Sequence, residues 1–137
     1  MGLSNEGTHF SGPVVVGAGR FKALTAAYTV TYKDNGKTFY LGGGTGFAIT
    51  MPAYKEGFSC KFVVTATFGT DYVITFPAAI VSGPIIEAGA IQVCAAKSVF
   101  TLEDGAEALG DYMYFEDIDD ITRIEANFQT AASITVA

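Results

Sequence analysis

Phe58, Cys60, Phe62, Val64, Ala66 and Phe68 occupy every second position between residues 58 and 68, separated by Ser59, Lys61, Val63, Thr65 and Thr67. A period of two turns one face of an extended strand inward and leaves the other toward solvent, and no helix accommodates it. The pattern recurs on both sides. Tyr28, Val30 and Tyr32 alternate with threonines, and Tyr72, Ile74 and Phe76 continue up to Pro77. Between these runs, Asp34-Asn35-Gly36 leads into Thr38-Phe39-Tyr40-Leu41. Asn-Gly supplies the positive φ angles of a tight hairpin, so residues 27–77 read as a strand meander, the rigid body of the chain.

The flanks follow the same punctuation. Residues 1–12 are polar and rich in Gly and Ser, and Phe10-Ser11-Gly12-Pro13-Val14-Val15-Val16-Gly17 makes a turn into a short apolar strand. Such an arm is able to pair with its own domain or with a neighbour's sheet edge. The segment 20–27 fits one or two helical turns as well as a strand. Beyond residue 78 the apolar pieces Ile80-Val81, Ile85-Ile86 and 91–94 are shorter, broken by Ser82-Gly83-Pro84 and Glu87. Strand patterns return at 98–102, 112–115, 121–126 and 134–136, with a single helical turn expected at 106–109. About ten short strands with no long helix argue for an all-β antiparallel sandwich, jelly roll or barrel with an extended N-terminal arm. Residues 1–17 are the expected arm and first strand, and 18–137 a single β domain.

Composition narrows the function. Half of the 137 residues are apolar and 16% are charged, and the mean hydropathy of +0.34 is high for a small soluble monomer. A small domain has too much surface to hide that much apolar material alone, which points to an oligomer or assembly subunit. No apolar window reaches the roughly 18 to 20 residues of a spanning helix, so no membrane is expected. The start MGLSNEGTHF has no basic n-region or apolar h-region, so no secretory signal is read there, and a chain made in a cytoplasm that stays soluble is expected. Residues 1–61 hold six basic and three acidic groups, a balance of +3, whereas residues 62–137 hold two and eleven, a balance of −9. That acidic excess argues against nucleic acid, whose phosphates need a basic stripe.

Chemical motifs are sparse. Gly42-Gly43-Gly44-Thr45-Gly46 lacks the GK[ST] of a phosphate loop and precedes a strand rather than a helix. The one histidine, His9, leaves no triad for acyl transfer, and there is no CxxC for zinc. Cys60 and Cys94 read as buried reduced thiols. Glu116, Asp117, Asp119, Asp120 and Glu125 are the best carboxylate cluster. Asp117, Asp119 and Asp120 present hard oxygens at near-alternate positions, a weak calcium pattern lacking the Gly and Glu of an EF-hand loop. A solvated acidic loop is the preferred reading. Tyr72, Tyr112 and Tyr114 are read as half-buried core rather than a ligand platform. No enzyme activity and no cofactor are expected.

The segment FSGPVVVG, followed by AAYTVTYKDNGKTFYLGGGTGFAITMP, resembles a pattern in virion proteins of tailed bacteriophages. Gly110-Asp111-Tyr112-Met113-Tyr114-Phe115 and the terminal Ile134-Thr135-Val136 resemble it too. The match is to small head decoration (cement) proteins and related capsid fibre modules. Residues 117–126 depart from it, since relatives there tend to carry Asp-Gly and Trp. The resemblance implies a non-enzymatic all-β subunit, often trimeric, that sits on the outer capsid surface and clamps the major capsid protein. Contact residues expected on this basis are Thr8, His9, Phe10, Pro13, Val14, Val15 and Val16 of the arm, with Arg20 and Lys22 on the basic side. A tail, fibre or neck component and a carbohydrate- or receptor-binding β module are the alternatives.

Overall fold

The computed structural model describes residues 19–137. They form twelve strands in two sheets packed face to face. A seven-stranded sheet has the order β1-β3-β5-β10-β11-β7-β8, and a five-stranded sheet the order β12-β9-β6-β4-β2. In the first sheet these are β1 (Phe21–Leu24), β3 (Lys37–Gly44), β5 (Ser59–Phe68), β7 (Val81–Glu87), β8 (Ala90–Lys97), β10 (Tyr112–Ile118) and β11 (Ile121–Phe128). The second holds β2 (Tyr28–Thr29), β4 (Ala48–Thr50), β6 (Tyr72–Thr75), β9 (Val99–Leu102) and β12 (Ile134–Val136). The all-β class and the sandwich stand as expected, and the barrel alternative does not, because neither sheet closes. Both sheets are mixed. Five strand pairs (β1–β3, β3–β5, β2–β4, β4–β6 and β7–β11) run parallel, where an antiparallel sandwich was expected.

One source of the parallel pairing lies at Asn35-Gly36. Tyr28 and Thr29 pair with β4 in the small sheet, while β3 belongs to the large one, so the chain crosses between sheets instead of folding into a hairpin. Asn35 has φ −54° and ψ 129°, and Gly36 has φ +80°. Those are the signs of a type II turn, whereas a type I′ hairpin turn needs positive φ at both residues. A 3-10 turn at Tyr32–Asp34 precedes it. Asn35 Oδ1 accepts the Ser59 N–H at 2.9 Å and the Gly36 N–H donates to the Ser59 carbonyl at 2.7 Å, docking the turn on β5. The segment 106–109 likewise forms bends and turns, not a helical turn. Phe21–Leu24 resolves the ambiguous segment 20–27 as a strand.

The core lies between the sheets. From the large sheet, Phe39 stacks on Phe62 at 5.1 Å and Phe62 meets Phe115 edge-on at 6.1 Å, and Phe115 in turn packs against Phe100 of β9 at 5.6 Å and Phe76, just after β6, at 4.9 Å. All five rings are buried, and burying each contributes on the order of 2 kcal/mol relative to exposure. On β5 the alternation runs as read, with Cys60, Phe62, Val64 and Phe68 inward. Both cysteines are free and buried, and burial pushes each thiol pKa upward, so neither is a reactive thiolate. The pieces beyond residue 78 assemble into the β7–β8 hairpin, closed by Ala88 and Gly89 with φ +50° and +81°. Gly83 lets β7 lie against β11, because a Cβ there would sit 2.1 Å from the Ile124 carbonyl oxygen.

Candidate functional site

Three buried carboxylates hold the loops at the two ends of the sandwich. Asp34, at the end of the 3-10 turn, accepts from the Tyr28 hydroxyl at 3.0 Å, the Thr31 N–H at 3.0 Å and the Lys37 ammonium at 2.9 Å. Burial alone raises its carboxyl pKa, and those three donors outweigh it, so the net shift is downward. Asp111 accepts from the N–H groups of Ala108 and Gln129, at 2.9 and 3.0 Å, pinning the loop before β10 to the end of β11. Asp117 accepts from the Lys55 N–H at 2.9 Å and the Thr122 hydroxyl at 2.6 Å.

The acidic stretch is therefore not a solvated loop throughout. Asp117 lies inside β10 and is 5% exposed. Asp119 and Asp120 form the two-residue turn between β10 and β11, with φ +50° and +64°, a type I′ pair. Their N–H groups donate to Glu56 Oε1 at 3.1 Å and the Tyr54 hydroxyl at 2.9 Å, and Tyr54 and Glu56 also bond each other. The three aspartates do not converge. Among the described residues, no group of three or more His, Cys, Asp or Glu is placed to hold a metal ion.

Of the expected contact residues, Thr8, His9, Phe10, Pro13, Val14, Val15 and Val16 lie outside the described residues. Arg20 and Lys22 stand at β1, the outer strand of the large sheet. The Arg20 carbonyl accepts the Thr38 N–H at 2.6 Å, continuing the parallel β1–β3 ladder. Lys22 Nζ lies 5.3 Å from the centre of the Tyr28 ring, and half-exposed Phe21 stacks on Tyr40 at 5.8 Å. The far side of β1 has no partner strand among the described residues. This edge combines unpaired backbone groups, an aromatic ring and cations, the chemistry that suits strand addition by a partner chain.

Next to that edge is a cleft of about 370 Å³ on the outward face of the large sheet. Arg20, Thr38, Ser59, Lys61 and Tyr114 line it. Thr38 stands opposite Lys61, and Lys61 opposite Tyr114, so a single row of the sheet brings them together. The period-two pattern that turns Cys60 and Phe62 inward also turns Lys61 outward, but it does not reveal which strands flank β5. At the opposite edge, β8 exposes Ile91 (71%) and Val93 (80%). They stand across from Ile86 and Pro84 on β7, giving an apolar patch that sequence alternation did not single out. Tyr72 is fully buried and Tyr112 and Tyr114 are half-buried. No helix among the described residues is long and apolar enough to cross a membrane.

Compared with protein-family models, curated proteins and solved structures, the chain matches none.

Proposed function

We propose that the chain is a non-enzymatic virion structural protein, a decoration (cement) protein that binds the outer surface of a tailed-phage capsid and stabilises the shell, as a homotrimer. Its partners are the major capsid protein and its own copies. The observation that carries the reading is the β1 edge. It presents Phe21 and Lys22, with Arg20 just before them, on a strand whose outer side is free among the described residues. The apolar patch of Ile91 and Val93 at the other edge supplies a surface for self-association, in keeping with the high mean hydropathy. Binding only the assembled shell stabilises it by mass action, and three copies engaging together add avidity.

Deleting residues 1–12 tests the role of the N-terminal segment. The truncated protein is expected to keep its thermal melt and lose binding to empty capsids. Undiminished binding would refute that role. The alternatives, a tail, fibre or neck component or a carbohydrate- or receptor-binding module, predict binding to other virion parts or to cells.

A further inference from the structure

We infer that the cleft beside β1 receives an acidic side chain of the partner protein, held by Arg20 and Lys61. The inference rests on the decoration reading and names the chemistry of the surface that reading requires. The cleft holds three basic residues, Arg20, Lys37 and Lys61, and no carboxylate lines it. Their states differ. The Lys37 ammonium is engaged by Asp34 at 2.9 Å. Arg20 and Lys61 form no ion pair with any described residue. Lys61 Nζ rests 4.7 Å from the centre of the Tyr112 ring, a contact that leaves its donors free for an anion. Glu116, across from Ser59, and Glu125, across from Tyr114, are the acids bordering this face, and Arg123 pairs with both, at 3.9 and 2.6 Å.

The donors suit a carboxylate. A guanidinium fork matches its two oxygens, and an ammonium with the hydroxyls of Thr38, Ser59 and Tyr114 completes the set. Two cations paired with no described carboxylate and surrounded by neutral donors, in a protein of net charge −6, make a local positive site on an otherwise acidic molecule. A nucleic-acid backbone would need a continuous basic stripe, and the exposed Asp119, Asp120 and Glu125 at this end of the fold oppose one. A single acidic side chain needs only the two cations of the cleft and no stripe.

Titrating the full-length protein with a glutamate-rich peptide while following backbone amide shifts tests this. Shifts should gather at residues 20, 38, 59, 61 and 114, and the affinity should fall between about 50 mM and about 300 mM salt. Arg20→Glu/Lys61→Glu should weaken binding about tenfold or more, while Lys33→Glu/Lys97→Glu, with the same net charge change, should bind as wild type. Absence of shifts, shifts elsewhere, equal losses in both double variants, or a response to inorganic phosphate alone would overturn the inference. Shell binding by wild type that survives the Arg20/Lys61 substitutions would overturn it while leaving the decoration reading intact. A cleft response to the peptide without shell binding would defeat the decoration reading instead.

Discussion

Asp117 Oδ1 accepts the hydroxyl of Thr122 at 2.6 Å across the β10–β11 hairpin, with both side chains buried. Its other oxygen holds the Lys55 N–H at 2.9 Å, so one carboxylate ties the loop before β5 to the hairpin. Asp117→Ala leaves a buried hydroxyl and an N–H without partners and is expected to cost about 3 kcal/mol in denaturant unfolding. Asp119→Asn, on the exposed turn, should change stability by less than about 0.5 kcal/mol. Since Asp117 spends both oxygens on protein donors, calcium at about 1 mM should leave Tm unchanged. A calcium-dependent rise would restore a cation site.

Asp34 gives the fold an acid-sensitive element. Its folded pKa lies below the ordinary 3.8, because its donors outweigh the cost of burial. Its contribution is therefore present above the unfolded pKa and is lost as pH falls through the folded one. Stability should decline below about pH 4, and Asp34→Asn should flatten that decline. Tyr28→Phe should cost about 1 kcal/mol at neutral pH. A variant at Asp34 with an unaltered acid limb would contradict this assignment.

Two glycines separate backbone need from turn convenience. Gly83 has φ +148° and no space for a Cβ, so Gly83→Ala should cost more than about 3 kcal/mol or prevent folding. Gly89 also has positive φ but open space around it, so Gly89→Asn should cost under about 1 kcal/mol. Thermal melts of the two variants compare them directly.

Strand existence was legible where one face is buried and the other is not. The alternation of 58–68 maps onto β5 because core and solvent faces differ sharply there. Pairing was not legible, because turn chemistry is overridden by tertiary contacts. Asn35-Gly36, the strongest hairpin signal, takes type II signs under the pull of Ser59, while Asp119-Asp120 and Ala88-Gly89 make the type I′ turns. Asp117 carries no sequence mark that separates it from its exposed neighbours. Its partners Lys55 and Thr122 arrive from other segments. The basic cleft escaped for the same reason, since Arg20, Lys61 and Tyr114 meet only through the strand order.

Ile91 and Val93 contribute little to the monomer fold, being largely exposed. Ile91→Lys/Val93→Lys should keep the melting temperature within a few degrees and lower the solution mass measured by sedimentation equilibrium. An unchanged oligomer would place the self-contact elsewhere.

The decoration reading is tested most directly by co-sedimentation of the full-length protein with empty, expanded phage shells. Many copies should pellet with each shell, and decorated shells should survive higher temperatures than bare ones. Protein that stays in the supernatant at every shell concentration, while binding glycans or cells, would contradict it.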